Sequence, residues 1–198
     1  AVLHQSGATL LFAGKELESV FTAIAPLPPA IRSVIRIEND PVPGGGFDAL
    51  RGSRPDRNLP VTASPDRDSF IIYTSGTTGS PRGVVLTHAN HFWNAVNYSV
   101  AYGMGEDDVE LGLAPLFHSA TLGRLITCFF VGATFVTARQ FHPETARQLI
   151  TRNRVTSITQ SPTMYAALCR RTDADRYDTA SVKRVVSGAA PLFPALRK

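Results

Sequence analysis

The sequence predicts an α/β fold of layered, parallel-type sheets with flanking helices. Three observations predict it. Short apolar runs that suit buried strands alternate with segments of three- and four-residue apolar spacing through most of the chain. The first strand, helix and strand stand at the spacing of a βαβ unit, which favours parallel pairing. A loop crowded with glycine and hydroxyl side chains, at Thr74–Gly83, directly follows another strand-like run. With 198 residues, 43% of them hydrophobic and 18% charged, the chain can bury a sizeable core in one or two domains.

Taken in order, Ala8–Ala13 reads as a buried strand. Lys15–Ala25 reads as a helix with Leu17, Val20, Phe21 and Ile24 on one face, ended by Pro26, Pro28 and Pro29. Ser33–Glu38 is the next strand. Asn39–Asp68 holds many prolines and glycines and few apolar residues, and is expected to be a long, partly irregular connection. Phe70–Tyr73 is a short buried strand leading into the glycine-rich loop. Thr87 is then an N-cap for a helix through Tyr102, with Ala89, Trp93, Val96 and Val100 as its stripe and Gly103 closing it.

Val109–Leu113 is a strand that runs into Ala114–Ser119. Leu122–Val131 is an apolar helix and Ala133–Thr137 a strand. His142-Pro143-Glu144 opens a helix with Ala146, Leu149 and Ile150 as its face, since Pro suits the first turn and Glu the positive end of the dipole. Val155–Thr159 is a strand, Ser161-Pro162 begins another helix, and Val182–Ser187 is the last strand, running into Gly188–Leu192.

Composition excludes several classes. The net charge of +4 comes from 20 Lys and Arg that are scattered rather than striped, so no nucleic-acid partner is expected. The most apolar run, Leu122–Val136, is broken by Gly123, Arg124 and Gly132 and is too short to span a membrane. Cys128 and Cys169 read as two buried thiols in a reducing, cytoplasmic setting. His88 and His91 stand three residues apart with no carboxylate companion, so no metal site is expected there. Ala1-Val2-Leu3-His4 has neither an initiator Met nor a signal-peptide layout, and residue 1 is expected not to be the natural start.

The loop is where chemistry concentrates. Glycines let several amide N–H groups converge on one spot, hydroxyls add donors, and Arg82 brings a fixed charge with a planar fork. That combination grips phosphate. The spacing is not Walker A, because Gly76 and Gly79 stand too close together and no Gly-Lys-Ser/Thr follows. Nor is it the Rossmann Gly-x-Gly-x-x-Gly.

Tyr73-Thr74-Ser75-Gly76-Thr77-Thr78-Gly79-Ser80-Pro81-Arg82-Gly83 resembles, almost residue for residue, the phosphate-loop signature of the adenylate-forming superfamily of acyl- and aryl-CoA synthetases, luciferases and peptide-synthetase adenylation domains. Arg82 stands where that family usually has Lys. Pro115-Leu116-Phe117-His118 resembles the second motif of the CoA-ligase branch, whose His lies beside the carboxylate pocket. Ser187–Leu192 resembles the Gly-Gly-Ala-Pro-Leu segment whose backbone lies along the adenine. The first third of the chain matches only in its general βα pattern.

The resemblance implies an AMP-forming ligase that activates an alkyl or aryl carboxylic acid with ATP and Mg²⁺ and passes it to coenzyme A. Thr74, Ser75, Gly76, Thr77, Thr78, Gly79 and Arg82 would hold the phosphates, and Gly188, Ala189, Ala190 and Pro191 the adenine. Thr74, Arg82 and His118 are the candidate catalytic residues. Phe117, Ala120, Thr121 and Gly123 suggest an apolar carboxylate pocket. Residues 1–68 would be a βαβ segment with its connection, and 69–198 the phosphate-loop and acyl-pocket part, both within one larger N-terminal domain. The family's later Tyr-Gly-x-Thr-Glu and Thr-Gly-Asp segments and its lid lysine do not occur here. The chain is therefore expected to be an inactive internal piece, with sheet edges exposed to aggregation or homodimerisation. The alternatives are an adenylation domain loading a carrier protein or making amino-acyl adenylates, and a non-catalytic nucleotide-binding module.

Overall fold

The structure is a computed structural model that describes residues 1–37, 47, 64–76, 79–170 and 176–191. Two compact units share the chain. One comprises Ala1–Ala63 and Tyr73–Val84; the other comprises Ser64–Ile72 and Val85–Lys198. Most of the connection read over Asn39–Asp68 lies outside the described residues.

In the first unit, helix α1 (Val2–Gln5) precedes strand β1 (Leu10–Gly14), a 3₁₀ turn (Lys15–Leu17), helix α2 (Glu18–Ala23) and strand β2 (Ser33–Ile37). β1 and β2 pair in parallel, with Leu10 opposite Ser33 and Gly14 opposite Ile37. This is the expected βαβ unit. Its helix is shorter than the apolar spacing suggested, because the run of prolines ahead disfavours helical backbone in the residues before it.

Strands β3 (Asp68–Thr74) and β4 (Arg82–Thr87) form a two-stranded sheet that brackets the glycine-rich loop. β4 was not expected. Val84-Val85-Leu86 is an apolar, partly β-branched run, but it sits between a loop motif and a strong helix start that both compete for it.

The second unit carries helix α3 (His88–Tyr102), capped as expected. The Asn90 amide donates to Thr87 Oγ1 at 3.2 Å and the Thr87 amide donates to Asn90 Oδ1 at 2.9 Å, a reciprocal capping box. Gly103 closes the helix at φ 57, a left-handed position that suits glycine. Then follow β5 (Val109–Gly112), α4 (Ser119–Val131), β6 (Thr134–Thr137), α5 (Pro143–Asn153), β7 (Ser157–Gln160), α6 (Pro162–Cys169) and β8 (Arg184–Ser187). The strands form one parallel sheet in the order β6-β5-β7-β8.

Strand alternation gives this sheet two different faces. Leu111, Leu113, Val155 and Ile158 pack with Ala146, Ile150 and Tyr165 from α5 and α6 in a buried apolar core. Each such aliphatic side chain contributes about 1.5–3 kcal/mol by leaving water. The Tyr165 hydroxyl lies 2.9 Å from both the Ile158 and Val186 carbonyl oxygens, tying α6 to β7 and β8. Buried Arg147 of α5 donates to the Leu168 carbonyl of α6.

The other face is polar. Glu110 is fully buried on it, and Thr159 shares a hydrogen bond of 3.0 Å with the Tyr98 hydroxyl of α3. The Arg124 guanidinium of α4 lies over the Tyr98 ring. Of the two cysteines, Cys128 is buried within α4 whereas Cys169, at the end of α6, is exposed. The expectation of two buried thiols fails at Cys169 because α6 ends there, facing outward. No helix among the described residues is long and apolar enough to cross a membrane.

Candidate functional site

The glycine-rich loop belongs to the first unit. Its geometry explains why two of its positions are glycine. A β-carbon at Gly76 would run into the Ser80 carbonyl oxygen and would stand 3.5 Å from Arg82 Cγ. Gly79 sits at φ 82, a backbone region that side chains with a β-carbon disfavour. Its amide donates to the Gly76 carbonyl at 3.0 Å, folding the loop back on itself. The Thr74 hydroxyl at the end of β3 donates to the Arg82 carbonyl at the start of β4, at 3.5 Å. Thr74, Ser75, Gly76, Gly79 and Arg82 are thus gathered in one loop, with the Arg82 side chain exposed. Thr77 and Thr78 lie outside the described residues.

Two further predicted segments rise from one edge of the parallel sheet in the second unit. β5 delivers Pro115–His118 and β8 delivers Gly188–Pro191, with β7 between them in the sheet order. Ligands of open parallel sheets bind at this carboxyl edge. His118 caps α4: the Ala120 amide donates to its Nδ1 at 3.3 Å. An accepting Nδ1 places the proton of a neutral ring on Nε2, so the exposed ring presents an N–H donor. Gly188 donates to the Gln160 carbonyl at 3.2 Å, and a β-carbon on it would meet nothing within 4 Å. Ala189 follows at φ 68 and is held in left-handed backbone. Ala190 and Pro191 complete the segment, exposed.

The apolar residues expected to form one carboxylate pocket divide between two cavities of this unit. Phe117 lines a groove of about 650 Å³ with Leu113, Ala138, Phe141 and Met164. Gly123 lines a separate cavity of about 310 Å³ between α3 and α4, with Ile72, Leu86, His91, Asn94 and Ser119. Thr121 is buried against the sheet, where a β-carbon on Gly112 would stand 3.3 Å from its methyl group. Ala120 is exposed. The helical turn after His118 separates these side chains by about 100° per residue, which a reading of the linear sequence passed over.

The buried polar layer beneath α3 and α4 was also missed. Asp108 accepts from the Gly105 amide at 2.9 Å and the Thr156 hydroxyl at 2.7 Å, and pairs with Arg184. Burial pushes its carboxyl up, but these partners together hold it below the usual carboxylate range. Burial pushes the Glu110 carboxyl up, offset in part by the nearby Ser157 and Thr159 hydroxyls and Arg184. Neither Glu110 oxygen reaches full hydrogen-bond geometry with a described partner. Burial lowers Arg124 to about 9, and burial together with Glu110 pushes the Cys128 thiol up to about 12. The sequence held a signal for this layer. Glu110 interrupts an apolar strand and Arg124 an apolar helix.

The chain belongs to the AMP-binding enzyme family, whose model matches residues 1–198. It is 36% identical over 152 residues to a feruloyl-CoA synthase from an Amycolatopsis species, covering 76% of this chain and 30% of that protein. It is 35% identical over 142 residues to 4-coumarate-CoA ligase 1 of Narcissus pseudonarcissus, covering 67% and 25%. Among solved structures, the inhibitor-bound N-terminal domain of FACL13 from Mycobacterium tuberculosis superposes with a TM-score of 0.87 at 27% identity, over 98% of this chain and 48% of that one. The chain thus spans about a third or less of the curated relatives it matches and about half of that solved domain. The expected fold is the fold found.

Proposed function

We propose that this chain forms part of an AMP-forming ligase that joins a carboxylic acid to coenzyme A. In the first step a carboxylate oxygen attacks the α-phosphorus of ATP, bound as its Mg²⁺ complex, and pyrophosphate leaves. In the second, the coenzyme A thiolate attacks the acyl carbonyl of the adenylate and AMP leaves. Both steps bring anions together, so catalysis rests on positioning and on stabilising negative charge.

The observation that carries this reading is the Gly76–Ser80 contact with Gly79 at φ 82. It makes a tight loop of amides and hydroxyls that needs glycine at both positions and suits the β- and γ-phosphates. In this role Thr74, Ser75, Thr77 and Thr78 donate to phosphate oxygens, and Arg82 draws charge towards the departing pyrophosphate. Arg82 brings two donors in a planar fork where a lysine would bring a point charge. His118 directs its Nε2–H towards the carboxylate, and Gly188–Pro191 receive the adenine along the main chain. The relatives named as CoA synthase and CoA ligase support coenzyme A as the acceptor.

The test, run on the longer ligase of which this chain is proposed to form part, is carboxylate-dependent exchange of labelled pyrophosphate into ATP, followed by thioester formation on adding coenzyme A. Exchange with an alkyl or aryl acid and a thioester product are expected. Exchange without thioester, or transfer only to a carrier protein, would exclude the coenzyme A reading.

A further inference from the structure

Gln160, the last residue of β7, makes hydrogen bonds towards both of the loops proposed to hold the two substrates. We infer that Gln160 is a positioning residue: it holds the acid loop after β5 and the adenine segment after β8 at the separation that adenylate formation needs. This inference rests on the acid-activating function proposed above.

The strand order β6-β5-β7-β8 places a switch point between β5 and β7. From β5 the chain crosses by α4 to β6 on one side, and from β7 it crosses by α6 to β8 on the other. Such a point leaves a crevice at the carboxyl edge, where ligands of open parallel sheets bind. The pairing opens there. β5 and β7 are in register at Glu110–Ser157 and Leu111–Ile158, whereas β7 stays paired with β8 as far as Gln160–Ser187. Beyond Leu111 and Ile158 the main-chain ladder no longer fixes β5 against β7.

Gln160 spans that gap. Its Nε2 donates to the Leu111 carbonyl of β5 at 3.3 Å, and its own main-chain carbonyl accepts from the Gly188 amide at 3.2 Å. Leu111 lies on the strand that delivers Pro115–His118, and Gly188 opens the adenine segment, so one residue ties the roots of both loops. Gln160 is buried, and its Oε1 has no hydrogen-bond partner among the described residues. A half-satisfied buried amide costs stability that an apolar side chain of similar size would avoid, so packing alone does not account for it. The donor to Leu111 does. In the proposed reaction the carboxylate oxygen comes from the β5 side of the crevice and the α-phosphorus from the β8 side. Their approach to bonding distance depends on the separation that Gln160 sets, and an error of about 1 Å there is felt strongly in rate.

The experiment, run on the longer ligase, measures carboxylate-dependent pyrophosphate exchange in Gln160→Met, which keeps the length of the side chain and removes its donor. The kcat is expected to fall by about 10- to 100-fold while the KM values for ATP and for the acid stay within about twofold of wild type. A side chain that only supports the fold would lower Tm and leave kcat per folded molecule unchanged, so a thermal melt accompanies the kinetics. Gln160→Leu repeats the test if Gln160→Met misfolds. Failure of both to fold makes the amide a requirement of folding and overturns the inference. An unchanged kcat in a folded variant, or a loss confined to the KM of one substrate, also overturns it and leaves acid activation standing. A wild type that exchanges pyrophosphate with no acid of any class overturns the functional reading, and the inference with it.

Discussion

Gly76 and Ser80 stand in a steric relationship that constrains the glycine-rich loop: the Ser80 carbonyl oxygen occupies the space a β-carbon on residue 76 would need. The contact is between backbone atoms, so no rotamer change can relieve it. A methyl group there must move the chain.

Gly76→Ala should therefore lower carboxylate-dependent pyrophosphate exchange by about 100-fold, the scale on which a 1 Å displacement of a reacting group is felt. Thermal unfolding should change little, because the loop contributes no residue to the buried core. Near-normal exchange in Gly76→Ala would remove the loop from the site.

Arg82 offers a separate test, because the role proposed for it is charge rather than shape. Arg82→Ala should raise the KM for ATP about 10- to 100-fold, the range of a lost charge-assisted hydrogen bond. Arg82→Lys should recover most of that loss, since the charge stays and only the fork goes. Equal losses in both variants would mean that the bidentate geometry, not the charge, holds the nucleotide.

Ala189 is the opposite case from Gly76, a β-carbon where backbone conformation disfavours one, at φ 68. Ala189→Gly should stabilise the protein by about 1 kcal/mol, relieving left-handed strain against a small loss to chain entropy. For a chain of this size that is about 2 to 4 °C in Tm, readable in a thermal melt. A lower Tm would show that Ala189 packs in a way that offsets the strain.

Glu110 gives stability a pH dependence of predictable sign. Burial raises its folded pKa above the ordinary value of 4.5. Below that value the carboxyl is protonated whether the chain is folded or not, and costs nothing. As pH rises, the unfolded carboxyl ionises first and pulls the equilibrium towards unfolding until the folded pKa is passed. Glu110→Gln should thus unfold at higher denaturant than wild type near about pH 7, with the gap closing near about pH 4. Urea midpoints at the two pH values decide it, and an equal gap at both would mean that the effect is packing alone.

Much of the fold was legible because its signals are local. The βαβ opening, the Thr87 cap and the Gly103 stop depend on residues a few positions apart, and the structure places all three as read. The steric constraint on Gly76 is also local, coming from Ser80, four positions on. β4 was hidden because neighbouring loop and helix signals overlap it. Cys169 was misjudged because a helix's composition does not say which residues face out.

The division of labour follows from the distance over which the physics acts. The sequence by itself determined the α/β alternation, the family and the glycine positions of the loop, since these rest on periodicity, backbone sterics and motif within short segments. Only the tertiary structure decided that Phe117 and Gly123 open on different cavities, that Glu110 and Arg124 are both buried, and that His91 lines one cavity with Asn94 and Ser119. Those groupings depend on which faces of α3, α4 and the sheet come together, and packing of distant segments sets that.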